Sequence, residues 1–238
     1  MISKNEVKYI QSLSEKKNRD QHNVFVAEGP KIVTELLNNG LLPQIIYTTT
    51  QIPAFANKDF EVKDVTSSEL QRISHFTTAN EMAGVFYKKE LPPLYTDKKF
   101  TLALDGIQDP GNMGTIVRTA DWFGITQIVA SPDSVDCYNS KVVQSTMGSI
   151  ARVNVYYQNI QDILQQTTVR VFGARLTGKN VYEMEKVKEG ILIIGNESKG
   201  IRQDIISFIQ DSITIPQTGN AESLNAAVAT GILLSHLL

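Results

Sequence analysis

A series of apolar, β-branched runs in the second half of the chain constrains the fold more than any other feature. Six such runs lie between residues 101 and 216, and helix-like stretches follow most of them. Runs that are apolar throughout are typical of parallel strands covered by helices on both faces. The sequence therefore predicts an α/β domain built on a parallel sheet. The runs are TLALDG, TQIVAS, RVNVYY, VRVFGARL, GILIIGNE and SITIP.

The first part of the chain predicts a smaller α/β domain. Residues 2–17 have a loose helical period, and EGPKIVTELLNNG predicts a helix with Pro30 in its first turn and Gly40 at its end. Ser67 is predicted to cap the helix SSELQRISH, because its hydroxyl can accept a free backbone N–H. The predicted strands are VFVA, PQIIYTTT, EVKDV and MAGVFYK.

A linker separates the two predicted domains. The stretch KKELPPLYTDKK combines two prolines with many charges, which is typical of a connecting segment. We therefore expect a first domain at residues 1–88, a linker at 89–99 and a second domain at 100–238.

Composition excludes several classes of protein. The formal net charge is -2 and the isoelectric point is about 6.0, so binding of nucleic acid through charge alone is not expected. Cys137 is the one cysteine, which excludes an intrachain disulfide and a cysteine-based zinc set. The polar N-terminus lacks the apolar core of a signal peptide, and the apolar C-terminal stretch is too short to span a membrane. We expect a cytoplasmic protein.

The stretch LDGIQDPGNMGTIVRTADWFG predicts a ligand-binding turn between a strand and a helix. Asn112 is a candidate cap of the helix, and Gly114 and Thr115 would form its first turn. Arg118 lies four residues after Gly114 and should lean back over it, so Arg118 and Asn112 could converge on one point. Such a point would suit a hydroxyl beside a phosphate. An ordinary capped helix with a surface arginine is the alternative.

Two later strand ends also carry unusual residues. After GILII, Gly195 would allow close approach of a ligand to the backbone, and Glu197 would place a carboxylate at the edge of the sheet. A plain turn is the alternative there. After SITIP, Ser223 is the predicted N-cap of a helix that has Asn225 in its first turn. No Lys or Arg follows Arg202, so this helix should be buried in the core or between subunits.

Together these segments resemble the SpoU (TrmH) family of RNA 2′-O-ribose methyltransferases, in the SPOUT superfamily. The motifs that carry the resemblance are DPGNMGTIVRTADWFG, IIGNESKGI and IPQTGNAESLNAAVATGILL, with KVVQSTMGSIARV between them. The N-terminal KNRDQHNVFVAEGPKIVTELL is similar to the RNA substrate-binding domain often fused to this enzyme. The resemblance implies a parallel-sheet SPOUT fold with a C-terminal trefoil knot, S-adenosylmethionine as methyl donor and a homodimer packed through the C-terminal helix.

The resemblance also implies roles for individual residues. The catalytic residues would be Arg118, Asn112, Glu197, Ser223 and Asn225. The cofactor would contact Gly195, Asn196, Ile215, Pro216, Ser223 and Leu224. RNA would contact Lys16, Lys17, Arg19 and Arg118, and no metal is expected. Gln217 departs from the family pattern, in which an aliphatic residue commonly follows the Ile-Pro pair.

The resemblance favours ribosomal RNA as substrate and leaves transfer RNA open. A non-catalytic RNA-binding protein would be expected to have broken first or third motifs, and both look intact. Base methylation within the same superfamily is disfavoured by the Asn112–Arg118 pair and the Ser223-Leu224-Asn225 run. A nucleotide-dependent oxidoreductase would need a glycine fingerprint and an acidic ribose partner, and the sequence has neither.

Overall fold

The structure is a computed structural model that describes residues 1–50 and 60–238. It divides into two compact units, of which the first comprises Met1–Glu90 and Asp136–Ala151. The second comprises Leu91–Val135 and Arg152–Leu238. The segment Asp136–Ala151 thus packs with the first unit although it follows a strand of the second. The predicted boundaries at 88, 89–99 and 100 stay a prediction.

Helices and strands alternate along most of the chain. The helices are α1 (Lys4–Ser12), α2 (Lys16–His22), α3 (Pro30–Asn38), α4 (Ser67–Ile73), α5 (Pro110–Trp122), α6 (Ser140–Thr146), α7 (Ile160–Gln166), α8 (Gln203–Ile206) and α9 (Ala226–Leu237). The strands are β1 (Val24–Glu28), β2 (Pro43–Thr48), β3 (Glu61–Asp64), β4 (Met82–Tyr87), β5 (Phe100–Asp105), β6 (Gln127–Ala130), β7 (Asn154–Tyr157), β8 (Val171–Asn180), β9 (Gly190–Gly195) and β10 (Asp211–Thr214).

The first unit is built on a mixed sheet with strand order β1-β4-β2-β3. The four predicted strands and the helix that begins at Pro30 are confirmed. Residues 2–17 do not form one helix, because α1 ends at Ser12 and α2 begins at Lys16. The cap predicted at Ser67 is wrong: Thr66 caps α4 and forms a reciprocal pair with Glu69, so the chain enters the helix one residue earlier.

The second unit is built on a six-stranded sheet with order β10-β8-β9-β5-β6-β7, and every neighbouring pair is parallel. This confirms the predicted parallel α/β fold and all six predicted strands. The central strands β5 and β9 are neighbours, and their last residues, Asp105 and Gly195, lie opposite each other. The loops after these two strands therefore emerge side by side.

Strand β8 leaves the sheet partway along its length. Gly173 lies opposite Ser212 and Lys179 lies opposite Ile213, so residues 174–178 have no partner in β10. A Cβ atom at Gly178 would lie 2.3 Å from the carbonyl oxygen of Ser212, a distance that real Cβ atoms do not reach. The return of β8 to the sheet therefore requires glycine at position 178. The four residues before it, 174–177, are free to line a site.

Candidate functional site: a cofactor pocket and a chain of polar side chains

The second unit contains a cavity of about 1080 Å³ at the carboxyl ends of its strands. Three segments line it: residues 174–177 of β8, the loop that follows β9 and the loop between β10 and α9. Ala226, Ala229 and Leu233 of α9 close it from one side. Every residue predicted to contact a cofactor lines this cavity, namely Gly195, Asn196, Ile215, Pro216, Ser223 and Leu224.

Sequence reasoning missed the segment from β8. Residues 174–177 line the cavity, yet VRVFGARL was interpreted as one uninterrupted strand. The signal that could have found it is the pair Gly173 and Gly178, which bracket the residues that leave the sheet. Glycine inside a strand pattern often marks a bulge or a close approach of backbones.

Residues 195–202, here called the β9 loop, are held by hydrogen bonds to the end of β5. The Asn196 side chain donates from Nδ2 to the carbonyl of Gly106 at 2.7 Å. Its Oδ1 accepts from the backbone amides of Ser198 and Lys199 at 2.9 and 3.1 Å. The backbones of Asn196 and Gly200 also exchange two hydrogen bonds. The amides of this loop are therefore largely satisfied by the protein itself.

An ion pair closes the far end of the β9 loop. Asp105 is only 1% exposed, and its Oδ2 accepts from the backbone amide of Arg202 at 2.7 Å. The Arg202 guanidinium pairs with the other carboxylate oxygen of Asp105 and lies 3.5 Å from a carboxylate oxygen of Asp133. The hydrogen bond from Ser131 and the nearby charge of Arg202 lower the pKa of Asp133. A buried carboxylate is thus compensated by a side chain at the loop end.

Gly195 has a structural role besides the predicted one. A Cβ atom there would lie 2.3 Å from the carbonyl carbon of Gly200 and 2.4 Å from the amide nitrogen of Ile201. The chain itself crosses over this position, so glycine is required by the protein backbone rather than by a ligand alone. The predicted close approach of a ligand to Gly195 stays a prediction.

Residues 216–224, here called the β10 loop, are held far more loosely. No backbone amide from Gln217 to Leu224 has a hydrogen-bond partner within the described residues. The loop is nevertheless part of the cavity wall. The unpaired N–H groups of its lining residues are therefore available to a ligand.

A chain of three side chains joins the starts of two helices to the β9 loop. Asn112 donates from Nδ2 to Oε1 of Glu197 at 2.6 Å and accepts at Oδ1 from Nδ2 of Asn225 at 2.7 Å. Asn225 in turn accepts at its own Oδ1 from the amides of α9 residues 227 and 228. These bonds fix both amide groups in one orientation. Three of the predicted catalytic residues are therefore brought together.

Two predicted helix caps at this site are wrong. Asp109, not Asn112, caps α5, and it accepts from the Asn112 amide at 2.7 Å. Asn225, not Ser223, caps α9, so the helix begins at Ala226. In both cases the displaced residue keeps a place at the site: Asn112 joins the polar chain, and Ser223 is an exposed part of the cavity wall.

Arg118 does not join this chain. Its side chain is exposed and has no hydrogen-bond or ion-pair partner in the part of the protein that the structure describes. Asn112 is 8% exposed and bonded to Glu197 and Asn225. Asn112 and Arg118 make no direct hydrogen bond with each other, and their predicted convergence on a bound molecule stays a prediction. Arg118 is instead free to meet a bound molecule.

Of the predicted RNA contacts in the first unit, Arg19 is wrong. It is 2% exposed and donates to the carbonyls of Leu13 and Ser14 at 2.9 and 2.7 Å. Its guanidinium also pairs with Asp136 at 2.5 Å. Arg19 therefore fixes the turn between α1 and α2 and cannot reach RNA. Lys16 and Lys17 are exposed.

Two further findings concern metal-binding groups and membrane-spanning helices. Among residues 1–50 and 60–238, no group of three or more His, Cys, Asp and Glu side chains is placed to hold a metal ion. Within the same ranges no helix has the length and apolar character needed to cross a membrane.

The loops at the strand ends of this parallel sheet surround a large cavity, and a chain of polar side chains lies at its edge. This arrangement is typical of α/β proteins that bind a small ligand at the carboxyl ends of their strands. The SpoU rRNA Methylase family matches residues 99–235, and the MRM3-like substrate binding domain matches residues 4–84. The first match covers more than half of the chain, and the chain belongs to the SpoU rRNA methylase family.

Individual relatives agree with this assignment. The 23S rRNA (guanosine(2553)-2′-O)-methyltransferase RlmP of Bacillus subtilis is 32% identical over 237 residues, which cover 97% of this chain and 95% of the relative. A TrmH-family protein from Porphyromonas gingivalis has a TM-score of 0.89 at 38% identity and covers 100% of this chain and 98% of its own. The AdoMet-bound rRNA methyltransferase of Sinorhizobium meliloti has a TM-score of 0.89 at 30% identity, with 100% and 96% covered.

Proposed function

We propose that this protein transfers a methyl group from S-adenosylmethionine to a ribose 2′-hydroxyl of ribosomal RNA. The observation that carries the proposal is the Asn112–Glu197–Asn225 chain beside the cavity. The relatives support the choice of ribose and of ribosomal RNA, because RlmP is named as a 2′-O-methyltransferase of 23S rRNA. Methylation of a transfer RNA ribose is the alternative substrate, and RNA binding without catalysis is the alternative function.

The residues of the cavity fit S-adenosylmethionine. The free N–H groups of the β10 loop can bind the polar edges of an adenosine. Apolar side chains of the cavity wall, among them Ile194, Ile213 and Leu224, can cover its flat base. The bound cofactor supplies a methyl group on a positively charged sulfur. The residues that would hold it are Gly195, Asn196, Ile215, Pro216, Ser223 and Leu224.

The reaction needs alignment and a path for a proton. Methyl transfer would require the protein to align the 2′-hydroxyl with the bound cofactor. The carbon–sulfur and O–H bonds would both have to break as the new C–O bond forms. Arginine is a poor base, because its guanidinium does not lose its proton in proteins. Arg118 therefore acts as a cation that orients the hydroxyl and stabilises the developing negative charge. The proton passes to the neighbouring phosphate or to water.

The polar chain positions the reacting groups. Glu197 accepts from Nδ2 of Asn112, which turns Oδ1 of Asn112 toward Asn225. Glu197 is therefore a positioning residue rather than a base. Asn225 fixes the start of α9. Ser223 lies in the adjacent cavity wall, and in this proposal it holds the methionine end of the cofactor.

RNA selection belongs to the first unit in this proposal. Its residues 4–84 match a substrate-binding domain, and Lys16 and Lys17 are exposed on α2. The formal net charge of -2 gives no general attraction to RNA, so recognition depends on a folded shape with few phosphate contacts. Residues 1–88, 89–99 and 100–238 would then be the substrate-binding domain, a linker and the methyltransferase domain.

The protein is proposed to act as a cytoplasmic homodimer, since the RNA it modifies is found there. Helix α9 carries no Lys, Arg, Asp or Glu, although Val228 on it is 53% exposed. It packs on α5, where Trp122 is 85% exposed. Apolar side chains with such exposure support a surface covered by a second copy. A C-terminal trefoil knot is proposed from the family match alone.

The test uses labelled S-adenosylmethionine with ribosomal and transfer RNA that lack native modifications, followed by digestion with alkali. A 2′-O-methyl group blocks cleavage of its own linkage. We expect label in alkali-resistant dinucleotides from ribosomal RNA. The same label from transfer RNA would establish the alternative substrate. Label in mononucleotides would mean base methylation, and no transfer to either RNA despite cofactor binding would favour the non-catalytic alternative.

A further inference from the structure

One side chain of the β10 loop makes hydrogen bonds to the backbone of the same loop. The side chain of Gln217 donates from Nε2 to the carbonyl oxygens of Gly219 and Ala221, at 2.7 Å each. Both acceptors lie in the same loop, so these bonds fold the loop on itself. No backbone amide of the loop has a partner among the described residues. The side-chain hydrogen bonds of Gln217 therefore hold the conformation of this loop, as backbone hydrogen bonds do in the β9 loop.

The bonds also determine which backbone groups are left for a ligand. A peptide unit is planar and trans, so its C=O and N–H groups point in opposite directions. The carbonyls of Gly219 and Ala221 are turned toward the Gln217 carboxamide. The N–H groups of Asn220 and Glu222, which share those peptide units, therefore point away from it. Gln217, Gly219, Ala221 and Glu222 all line the cavity.

We propose that Gln217 is a positioning residue that prepares the β10 loop for binding S-adenosylmethionine. The inference rests on the proposed function and goes beyond it, because it names what holds the loop ready before the cofactor binds. A loop that is rarely in the binding conformation lowers apparent affinity by the fraction of time it spends there. Once the cofactor is bound, its own contacts hold the loop. Gln217 therefore acts on affinity and not on the rate of transfer at saturation.

The test measures cofactor affinity by titration calorimetry on the full chain, and KM and kcat with RNA. Gln217→Met removes both hydrogen bonds at nearly constant volume, and we expect Kd and KM for S-adenosylmethionine to rise about tenfold with kcat within twofold. Gln217→Glu should raise Kd further, because a carboxylate cannot donate and would repel two carbonyls. Gln217→Asn, one methylene shorter, should give a smaller rise.

The matched controls are Gln165→Met and Gln165→Glu. Gln165 is exposed on α7 and makes no side-chain hydrogen bond in the described ranges. These variants make the same chemical changes away from the cavity and should bind like the unaltered protein.

The possible failures are distinguishable. Failure of the unaltered protein to bind S-adenosylmethionine would overturn the proposed function and this inference together. Normal binding by the unaltered protein, with Gln217 variants within twofold of it, would overturn the inference alone. A fall in kcat at unchanged KM would also overturn it, because Gln217 would then act on the reacting groups.

Discussion

The β9 loop and the β10 loop line the same cavity but are built in opposite ways. In the β9 loop, Asn196 and Asp105 satisfy backbone amides, and the loop is bonded to the end of β5. In the β10 loop, no amide from Gln217 to Leu224 is paired within the described structure. Most backbone N–H groups in one wall of the cavity therefore have partners without a ligand, while those in the other wall are unpaired.

The difference suggests a division of labour. A wall with satisfied amides keeps its shape at little entropic cost and can position groups for chemistry. A wall with unpaired amides gains hydrogen bonds only when a ligand binds, so the loop becomes ordered on binding. Asn112 lies between them, since it bonds to Glu197 of the β9 loop and to Asn225, which follows the β10 loop.

The largest effect is expected at Arg118, which belongs to neither loop. Arg118→Ala should lower methyl transfer about 10³-fold and leave Kd for S-adenosylmethionine unchanged, because it removes a cation and no cavity contact. Arg118→Lys should keep partial activity, since it retains the charge. Transfer rates with ribosomal RNA and calorimetry with the cofactor check both. Equal loss in the Lys and Ala variants would contradict a purely electrostatic role.

The next effect is expected where the two loops are joined. Asn112→Asp places a carboxylate against that of Glu197 and removes the donated hydrogen bond. We expect kcat to fall about 100-fold, because Glu197 loses its donor and the two carboxylates repel each other, while Asn225 can still donate to residue 112. Asn5→Asp, an exposed position on α1, is the control for the charge change and should have no effect. Unchanged turnover in Asn112→Asp would show that the polar chain is not needed.

A third prediction breaks the β9 loop alone. Arg202→Met leaves the buried carboxylate of Asp105 without its ion pair. Because Arg202 is partly exposed and the backbone amide bond remains, we expect a loss of about 2 kcal/mol in the free energy of unfolding. Urea denaturation measures it. A loss as small as that of an ordinary surface substitution, below about 0.5 kcal/mol, would mean that the pair does not hold the loop.

The last prediction compares the two loops by one substitution. Gly195→Ala puts a methyl group within 2.3 Å of the Gly200 backbone, whereas at Gly219 nothing lies within 4 Å of the new Cβ. Alanine at 195 should therefore distort the β9 loop and raise Kd for the cofactor at least about tenfold. Alanine at 219 should change it by less than about threefold. Calorimetry measures Kd for both variants. Equal changes in Kd would contradict the proposed difference between the two loops.

The sequence allowed the parallel sheet to be predicted, and the family resemblance supplied six residues of the cavity wall but not residues 174–177. Apolar runs report burial on both faces, and the loops after such strands meet at one edge. The helix caps at this edge were misjudged because Asp109 and Asn112, like Ser223 and Asn225, are both competent caps. Pro110 pointed to the correct one in the first case, because proline favours the first helical position.

Other features depend on contacts that no local pattern records. Arg19 looks like one of several basic residues on α2, and its partner Asp136 lies 117 positions away. Its burial follows from packing of Asp136–Ala151 with the first unit. The departure of β8 from the sheet depends on its register with β10. Gln217 stood out in the sequence only as a departure from the family pattern, and its hydrogen bonds depend on the path of the loop.

Amide hydrogen exchange of the unaltered protein, with and without S-adenosylhomocysteine, tests the contrast between the loops most directly. Satisfied amides exchange slowly and free ones quickly. We predict that the amides of residues 196, 198–200 and 202, which have hydrogen-bond partners, are already protected in the free protein and change little. Amides of residues 217–224 should exchange rapidly in the free protein and slow at least about tenfold when the ligand binds. Equal protection of both loops before binding, or equal slowing of both on binding, would contradict the account.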